Sequence, residues 1–176
     1  MFKEIFKNII TKKNVIPFPE GFNVTPEQAA KIVDFQKKID KIFNRSLRIR
    51  HIDAGSCNAC EWECTALTNP IYDIQRFGID FVASPRHADV LFVTGPVSRQ
   101  MELALKRTYI ATPEPRLVIA CGDCAKDGGI YRGSYAVTNG VANVIPVDSY
   151  IPGCPPTPAA ILLGLVQLID SCTKRT

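Results

Sequence analysis

From Ser46 onward, short runs of apolar and β-branched residues alternate with segments of helical spacing. Such runs predict strands, and the segments between them predict helices. Strand–helix alternation implies a mostly parallel sheet flanked by helices, so we predict a flavodoxin-like α/β fold over residues 46–176. The predicted strands are 47–53, Ile79–Val82, Val90–Thr94, Leu117–Ala120 and Val144–Val147, and the predicted helices cover about 61–67, 71–77, 98–110 and 159–169.

The first 45 residues follow a different pattern. Apolar residues recur at helical spacing within 2–10, which predicts a short amphipathic helix, and the TPEQ sequence at 25–28 is typical of the start of a second helix that runs to about residue 43. Residues 1–50 contain eleven Lys or Arg and five Asp or Glu, whereas the remainder has a net charge of −2. We therefore predict a basic helical extension over 1–45, which packs on its own domain or docks on a partner subunit or a membrane surface.

The amino-acid composition and the distribution of charge exclude several classes of function. With 46% hydrophobic and 22% charged residues, the chain has a globular composition. Its basic residues are concentrated near the N-terminus and do not form a stripe with aromatics across the folded part, so we do not expect nucleic-acid binding. No apolar run reaches the roughly 18 residues of a membrane span, and the N-terminus lacks the features of a secretory signal. We expect a cytoplasmic protein.

Seven cysteines are a high count for a cytoplasmic chain, in which disulfides are rarely maintained. Their odd number would leave one thiol unpaired, so metal or redox chemistry is favoured. Cys57 and Cys60 follow the first predicted strand, Cys121 and Cys124 follow the fourth, and Cys154 follows the fifth. Because the carboxyl ends of parallel strands share one edge of a sheet, we expect the three loops to converge.

Four thiolates at one point bind either zinc or a [4Fe–4S] cluster. The CxxC pairs at 57–60 and 121–124 form a zinc-type arrangement, but the roughly sixty residues between them far exceed the spacing of zinc ribbons, and Cys154 would have no role. A thioredoxin-like CxxC needs no further cysteines elsewhere. Glycines in all three loops allow the backbone to approach and donate N–H groups to sulfurs. A cluster is favoured, with a structural zinc-binding interaction module as the alternative.

Four longer motifs carry a family resemblance: GSCNACEWE at 55–63, SPRHADVLFVTG at 84–95, GDCAKDGG at 122–129 and VDSYIPGCPPTP at 147–158. They resemble the small subunit shared by energy-converting [NiFe]-hydrogenases and respiratory complex I, over roughly residues 46–170. The resemblance implies a proximal [4Fe–4S] cluster, with ligands that fall on Cys57, Cys60, Cys124 and Cys154. Cys121 lies where other members tolerate an aromatic or aliphatic residue, and Cys64 and Cys172 match no ligand position, so both are interpreted as buried or idle thiols.

The first motif distinguishes two branches of this family. The complex I subunit has two adjacent cysteines there, so the CxxC form resembles the hydrogenase branch, especially membrane-bound, ferredoxin- or formate-linked complexes. The chain stops without the cysteine-rich extension of uptake-type small subunits, so one cluster is expected. The resemblance implies one-electron transfer between a catalytic large subunit and a ferredoxin-like iron–sulfur subunit, beside membrane subunits at the inner face of the cell membrane, with no complete active site on this chain. A complex I-like subunit of an NADH/quinone oxidoreductase is the alternative.

Other polar residues in the motifs have two interpretations each. Glu63 matches an acidic position of the complex I branch, which implies a proton-coupled partner of the cluster or a proton route, whereas a helix-terminal acid favoured by the helix dipole is the structural alternative. The structural interpretation is favoured for Glu61. Arg86 is expected to neutralise cluster charge or contact the catalytic partner, His87 to be structural, and Trp62 to pack in the core or at a subunit interface.

Overall fold

The computed structural model describes Asp34, residues 37–39, Lys41 and residues 43–173, all within one compact unit that begins at Val33. These residues contain strands β1 (Leu47–Asp53), β2 (Ile79–Phe81), β3 (Val90–Thr94), β4 (Leu117–Cys121) and β5 (Ser149–Ile151). The helices are α1 (Ala59–Ala66), α2 (Arg99–Ala111), α3 (Asp123–Asp127) and α4 (Pro158–Thr173). Short 3₁₀ turns lie at Ile74–Phe77, Pro85–His87, Gly129–Tyr131 and Val141–Asn143.

The five strands form one sheet in the order β2-β1-β3-β4-β5, and every neighbouring pair is parallel. The predicted parallel, helix-flanked sheet is therefore confirmed. The chain order changes direction between β1 and β3. In sheets of this topology, sites form in the crevice outside the carboxyl ends of the strands near that point.

Strand β3 lies at the centre of the core, and all five of its residues are buried. Such an unbroken apolar run is typical of a parallel strand covered on both faces. On one face, Val93 packs with Ile52 and with Leu105 of α2. Side chains alternate along a strand, so His51 and Thr94 point to the opposite face, where they contact Glu61 of α1. Helices α1 and α2 thus cover opposite faces.

The predicted strand at Val144–Val147 is wrong. Val144 and Ile145 complete the 3₁₀ turn that starts at Val141, with the Ile145 N–H donating to the Val141 carbonyl at 3.0 Å. Pro146 has no N–H with which to join a sheet. The strand next to β4 is Ser149–Ile151 instead, while the predicted helix over 71–77 reduces to the turn Ile74–Phe77.

The part of the N-terminal extension that the structure describes is helical at Asp34, 37–39, Lys41 and Phe43, as predicted for the end of the second helix. Lys38 forms ion pairs with Asp34 at 2.7 Å and with Asp170 of α4 at 3.0 Å. The predicted amphipathic helix within 2–10 and most of the 1–45 extension lie outside the described residues. None of the helices in the described ranges combines the length and the hydropathy needed to cross a lipid bilayer.

Asp89, directly before β3, connects that strand to β1 and to the segment preceding β1. Its carboxylate accepts two hydrogen bonds from the Arg45 guanidinium, at 2.8 and 3.0 Å, and one from the Arg48 backbone N–H at 3.0 Å. The Asp89 residue is buried, so its loss leaves these donors without a charged acceptor.

We therefore expect Asp89→Ala to lower the free energy of unfolding by about 2 to 3 kcal/mol, measured by urea denaturation. Arg45→Ala, which keeps the bond from the Arg48 N–H and removes a partly exposed partner, should cost about 1 kcal/mol or less. Equal stability of Asp89→Ala and the wild type would contradict this role.

Candidate metal centre

The loop after β1 is built around one carboxylate. Asp53 Oδ1 accepts hydrogen bonds from the backbone N–H groups of residues 55 and 56, both at 2.8 Å. Ser56 Oγ accepts the next bond, from the Asn58 N–H at 3.0 Å, and α1 begins directly afterwards. This local geometry leaves Cys57 exposed in the loop and sets Cys60, half-buried, in the first turn of α1.

The loops after β4 and β5 are hydrogen bonded to each other. The Gly122 N–H donates to the last carbonyl of β5 at 2.8 Å, and the Asp123 N–H donates to the Gly153 carbonyl at 2.9 Å. The Asp123 side chain adds a third hydrogen bond between the two loops, because its Oδ1 accepts from the Gly153 N–H at 3.0 Å. The two bonds between Asp123 and Gly153 are called the Asp123–Gly153 clamp below. Half-buried Cys124 and exposed Cys154 are therefore carried by two loops that are fixed to one another.

The other three predicted ligands act electrostatically on Cys124. Burial raises the pKa of the Cys124 thiol, and the charges of Cys154, Cys57 and Cys60 raise it further, while the Ile130 backbone N–H opposes them. Each of the other three predicted ligands thus lies within electrostatic range of Cys124. In the part of the chain that the structure describes, no group of three or more His, Cys, Asp or Glu side chains surrounds the position of a single metal ion.

Two glycines make room for sulfur beside the backbone. A Cβ on Gly122, whose φ is +89°, would lie 2.9 Å from Cys60 Sγ, and a Cβ on Gly129, with φ +50°, would lie 2.9 Å from Cys124 Sγ. Only glycine allows so close an approach at positive φ. Four thiols that follow three strands, with backbone close to two of the sulfurs, fit the donor set of a [4Fe–4S] cluster.

The remaining thiols differ from these four. Cys64, in the next turn of α1, is buried, which confirms that prediction, and burial raises the pKa of its thiol to about 12 with the Glu61 charge as the next cause. Cys121, at the end of β4, is completely buried, and its interaction with Cys60 and then its burial raise the pKa of its thiol. Cys172 lines a cavity with Leu117 at the amino end of β4, at the opposite edge of the sheet.

These environments predict the order of alkylation in the cluster-free protein. The thiolate is the nucleophile, so a thiol whose pKa is raised stays protonated and reacts slowly. At mildly alkaline pH, iodoacetamide should label exposed Cys57 and Cys154 first and Cys64 much later, as followed by peptide mass spectrometry. Labelling of Cys64 as fast as Cys57 would contradict the described burial.

Glu61 has a role that its sequence position did not indicate. Thr94 Oγ1 donates a hydrogen bond to Glu61 Oε1, and His51 Nε2 is hydrogen bonded to Thr94 Oγ1 at 3.1 Å. Within the described residues, Glu61 Oε2 is buried without a hydrogen-bond partner, and burial lowers the pKa of His51 while the Glu61 charge opposes that shift. The favoured interpretation of Glu61 as a helix-terminal acid is therefore insufficient. The available signal was Thr94, a hydroxyl that closes an otherwise apolar strand.

The other residues singled out in the sequence lie in different parts of the structure. Glu63 is half-buried and contributes to raising the pKa of Cys64, after larger contributions from burial, Glu61 and Cys60. Arg86 and His87 lie in the turn before β3, at the amino end of that strand, whereas the cysteines follow carboxyl ends. This location favours the other role predicted for Arg86, contact with the catalytic partner, over neutralisation of charge at the thiols, and both stay predictions. Trp62 is 68% exposed, which excludes a core position within this unit.

Comparison with known proteins identifies relatives of the whole described unit. The family described as NADH ubiquinone oxidoreductase, 20 Kd subunit, matches residues 57–168. The chain is 40% identical over 162 residues to formate hydrogenlyase subunit 7 of Escherichia coli (strain K12), which covers 92% of this chain and 62% of that protein. It is 44% identical over 134 residues to the probable membrane-bound hydrogenase subunit mbhJ of Pyrococcus furiosus, covering 76% of this chain and 80% of that protein.

A solved structure agrees with these matches. A chain of the membrane-bound sulfane sulfur reductase, an archaeal respiratory membrane complex, has a TM-score of 0.64 and 34% identity, over 78% of this chain and 75% of that chain. This chain spans less than two thirds of the length of the formate hydrogenlyase subunit. The family match covers more than half of the sequence and includes all four predicted ligand cysteines. The chain belongs to the NADH ubiquinone oxidoreductase 20 Kd subunit family, a family of oxidoreductase-complex subunits that the sequence resemblance predicted.

Proposed function

We propose that this chain is the electron-transferring small subunit of a membrane-associated [NiFe]-hydrogenase-type complex, in which Cys57, Cys60, Cys124 and Cys154 hold one [4Fe–4S] cluster. The main support is that the Cys124 thiol lies within electrostatic range of the other three cysteines at the carboxyl edge of the sheet. Four thiols at the carboxyl edge of a parallel sheet supply ligands for a cluster, and none of them is a general acid or base for bond-making chemistry.

The group that these thiols would hold supplies one-electron transfer, and the protein residues hold and insulate it. The Asp123–Gly153 clamp fixes the loop of Cys124 against the loop of Cys154. Gly122 and Gly129 bring peptide groups close to two of the sulfurs. The interaction with Cys121 lowers the pKa of the Cys60 thiol, while burial and then the charge of Glu61, held by Thr94, oppose that shift.

The proposed partners are a catalytic large subunit, a ferredoxin-like iron–sulfur subunit and membrane subunits, with the chain peripheral on the cytoplasmic face of the membrane. Two exposed apolar side chains beside the thiols support a protein interface there: Trp62, two residues after Cys60, and Ile130, which is 79% exposed and follows Gly129, whose backbone lies beside Cys124 Sγ. A proton-coupled role for Glu63 is part of the proposal, since it lies one turn beyond Cys60 and acts electrostatically on Cys64.

The hydrogenase assignment is supported by the relatives, which are named as subunits of formate hydrogenlyase and of a membrane-bound hydrogenase. The CxxC spacing of Cys57 and Cys60 also favours that branch over the adjacent cysteines of complex I. The second candidate is a complex I-like, quinone-reducing assembly, which the family description supports. The nickel content of the co-purified catalytic subunit decides between them.

The proposed electron transfer is tested on the full chain, purified anaerobically and treated with dithionite. We expect a brown protein that bleaches on reduction and gives an EPR signal of about one unpaired electron per chain, which disappears on reoxidation. A colourless, EPR-silent protein that contains zinc would contradict the proposal and favour a structural zinc module.

A further inference from the structure

A cavity of about 330 Å³ lies between α1 and the strands β1 and β2, and six side chains line it: His51, Glu61, Cys64, Thr65, Thr68 and Phe81. We propose that this cavity receives an arginine side chain of a partner subunit, whose guanidinium donates hydrogen bonds to Glu61 Oε2. The inference deepens the proposed function, since it rests on the chain being a subunit of a protein complex and not on the metal that the cysteines hold.

The shape of the cavity follows from helical spacing on one side and strand register on the other. Four lining residues recur at the spacing of one helix face along α1 and the turn after it: Glu61, Cys64, Thr65 and Thr68. The other two come from the sheet. Phe81 pairs with Ile49, two residues before His51, so Phe81 and His51 share the face that α1 covers.

One carboxylate oxygen at this cavity has no partner. Glu61 Oε1 accepts the hydrogen bond from Thr94 Oγ1 and lies 3.6 Å from His51 Nε2. Among the described residues, Glu61 Oε2 is buried and accepts no hydrogen bond, and the Glu61 side chain as a whole is only 13% exposed. A buried carboxylate oxygen without a donor is costly, so an occupant that supplies a donor to Oε2 is favoured.

The hydroxyl groups at the cavity also lack a hydrogen to offer. Thr65 Oγ1 donates to the Glu61 carbonyl at 3.0 Å, and Thr68 Oγ1 donates to the Thr65 carbonyl at 2.8 Å. A hydroxyl has one hydrogen, so both oxygens present only lone pairs to an occupant. Helix α1 adds negative charge, because it contains Glu61 and Glu63 but no Lys or Arg. The matching occupant therefore brings several donors and a positive charge.

Arginine has this chemistry together with an apolar stem. Its guanidinium carries five N–H donors in a planar fork and is always charged, whereas its methylene groups pack on apolar surface. Phe81 and buried Cys64 supply apolar wall for that stem. The cavity volume is near the lower limit for small-molecule sites, about 300 Å³, which suits one long side chain.

The position of the cavity suits entry from a second protein. Thr65 and Thr68 are exposed, so the cavity is open on their side. Trp62 precedes Thr65 by three residues on the same helix, is 68% exposed, and belongs to the protein interface proposed above. Tryptophan and arginine are both enriched among the residues that contribute most to binding at interfaces. The cavity therefore extends that interface.

The test starts from the complex, purified anaerobically through a tag on the full chain that carries the photoreactive residue p-benzoylphenylalanine in place of Trp62. After illumination, the partner peptide joined to this position is identified by mass spectrometry, and we expect it to contain an arginine. Glu61→Gln removes the charge at constant shape, and Thr68→Trp fills the cavity about two helical turns beyond Cys60. Each should weaken binding of that partner about thirtyfold or more, measured by biolayer interferometry.

Two matched controls change exposed residues elsewhere. Glu114→Gln removes a 72% exposed acid that is paired with Arg116, and Leu103→Trp enlarges a 56% exposed side chain of α2. Both should bind the partner as the wild type does. A double-mutant cycle then combines Glu61→Gln with replacement of the partner's arginine by methionine, and the two losses should not add, because either change removes the same contact.

Three results would overturn the inference. The first is wild-type affinity in Thr68→Trp or in iron-loaded Glu61→Gln, which would show that the cavity holds water or a small solute only. The second is a joined peptide without arginine, and the third is additive losses in the cycle. Iron per chain is measured throughout, and Thr68→Trp keeps the test decisive if Glu61→Gln loses iron beside Cys60. A wild-type chain with zinc in place of iron would contradict the proposed electron transfer and leave these binding results interpretable.

Discussion

Replacement of Cys124 by serine is expected to remove essentially all bound iron from the chain. Burial and then the charges of the other three proposed ligands raise the pKa of Cys124, which indicates that its sulfur lies near each of theirs. Its loop is fixed by the Asp123–Gly153 hydrogen bonds and cannot easily bring another side chain into the same position. A serine oxygen is a much harder ligand than a thiolate and is a poor substitute in an iron–sulfur site. Iron per chain, measured after anaerobic reconstitution, reports the effect.

The matched control is Cys64→Ala, which removes a buried thiol of the same region that is not a proposed ligand. It should keep its iron, with a loss of stability of about 1 kcal/mol from the small cavity. Full iron loading of Cys124→Ser, or iron loss in Cys64→Ala together with a folded circular dichroism spectrum, would show that the ligand set is wrong.

Gly122→Ala is expected to lower iron loading strongly although no ligand is changed. The added Cβ would lie 2.9 Å from Cys60 Sγ and 3.4 Å from the Gly153 carbonyl oxygen, so the sulfur or the loop must move. The backbone at Gly122, with φ 89° and ψ 159°, lies in a region essentially restricted to glycine, and alanine there costs about 1 to 3 kcal/mol. We expect lower stability in urea and reduced iron per chain.

Gly78→Ala separates the backbone strain of alanine at positive φ from the contact of its Cβ with a sulfur. Gly78 also has a positive φ, of +74°, but a Cβ there would meet nothing within 4 Å. This variant bears a conformational cost without pressing on a thiol, and it should lose some stability while keeping its iron. Equal iron loading of the Gly122 and Gly78 variants would contradict the proposed position of Cys60 against the backbone.

The parallel sheet was predictable because its central strands are buried on both faces. Val90–Thr94 is apolar up to its last residue, and its predicted bounds match β3. Strand β5 was misplaced because Val144–Val147 is more apolar than the true strand Ser149–Ile151, and only the ladder to β4 distinguishes them. Apolar character identifies what is buried, whereas strand pairing depends on backbone groups that Pro146 cannot supply.

The candidate site was also predictable only in part. The cysteine loops follow from local sequence, since each thiol comes just after a strand whose carboxyl end faces the same edge. The Thr94–Glu61 hydrogen bond joins residues 33 positions apart, and the His51–Thr94 bond joins residues 43 apart. Both depend on the register of β1 against β3, which periodicity does not specify. The exposure of Trp62 was likewise undetermined, because a large aromatic residue serves a core or an interface equally well.

Iron, acid-labile sulfide and zinc per chain, determined on anaerobically purified wild-type protein, test the central claim most directly. The account predicts about four iron and about four sulfide with no stoichiometric zinc. About one zinc per chain with neither iron nor sulfide would contradict it, and would leave a structural metal module on the same parallel sheet.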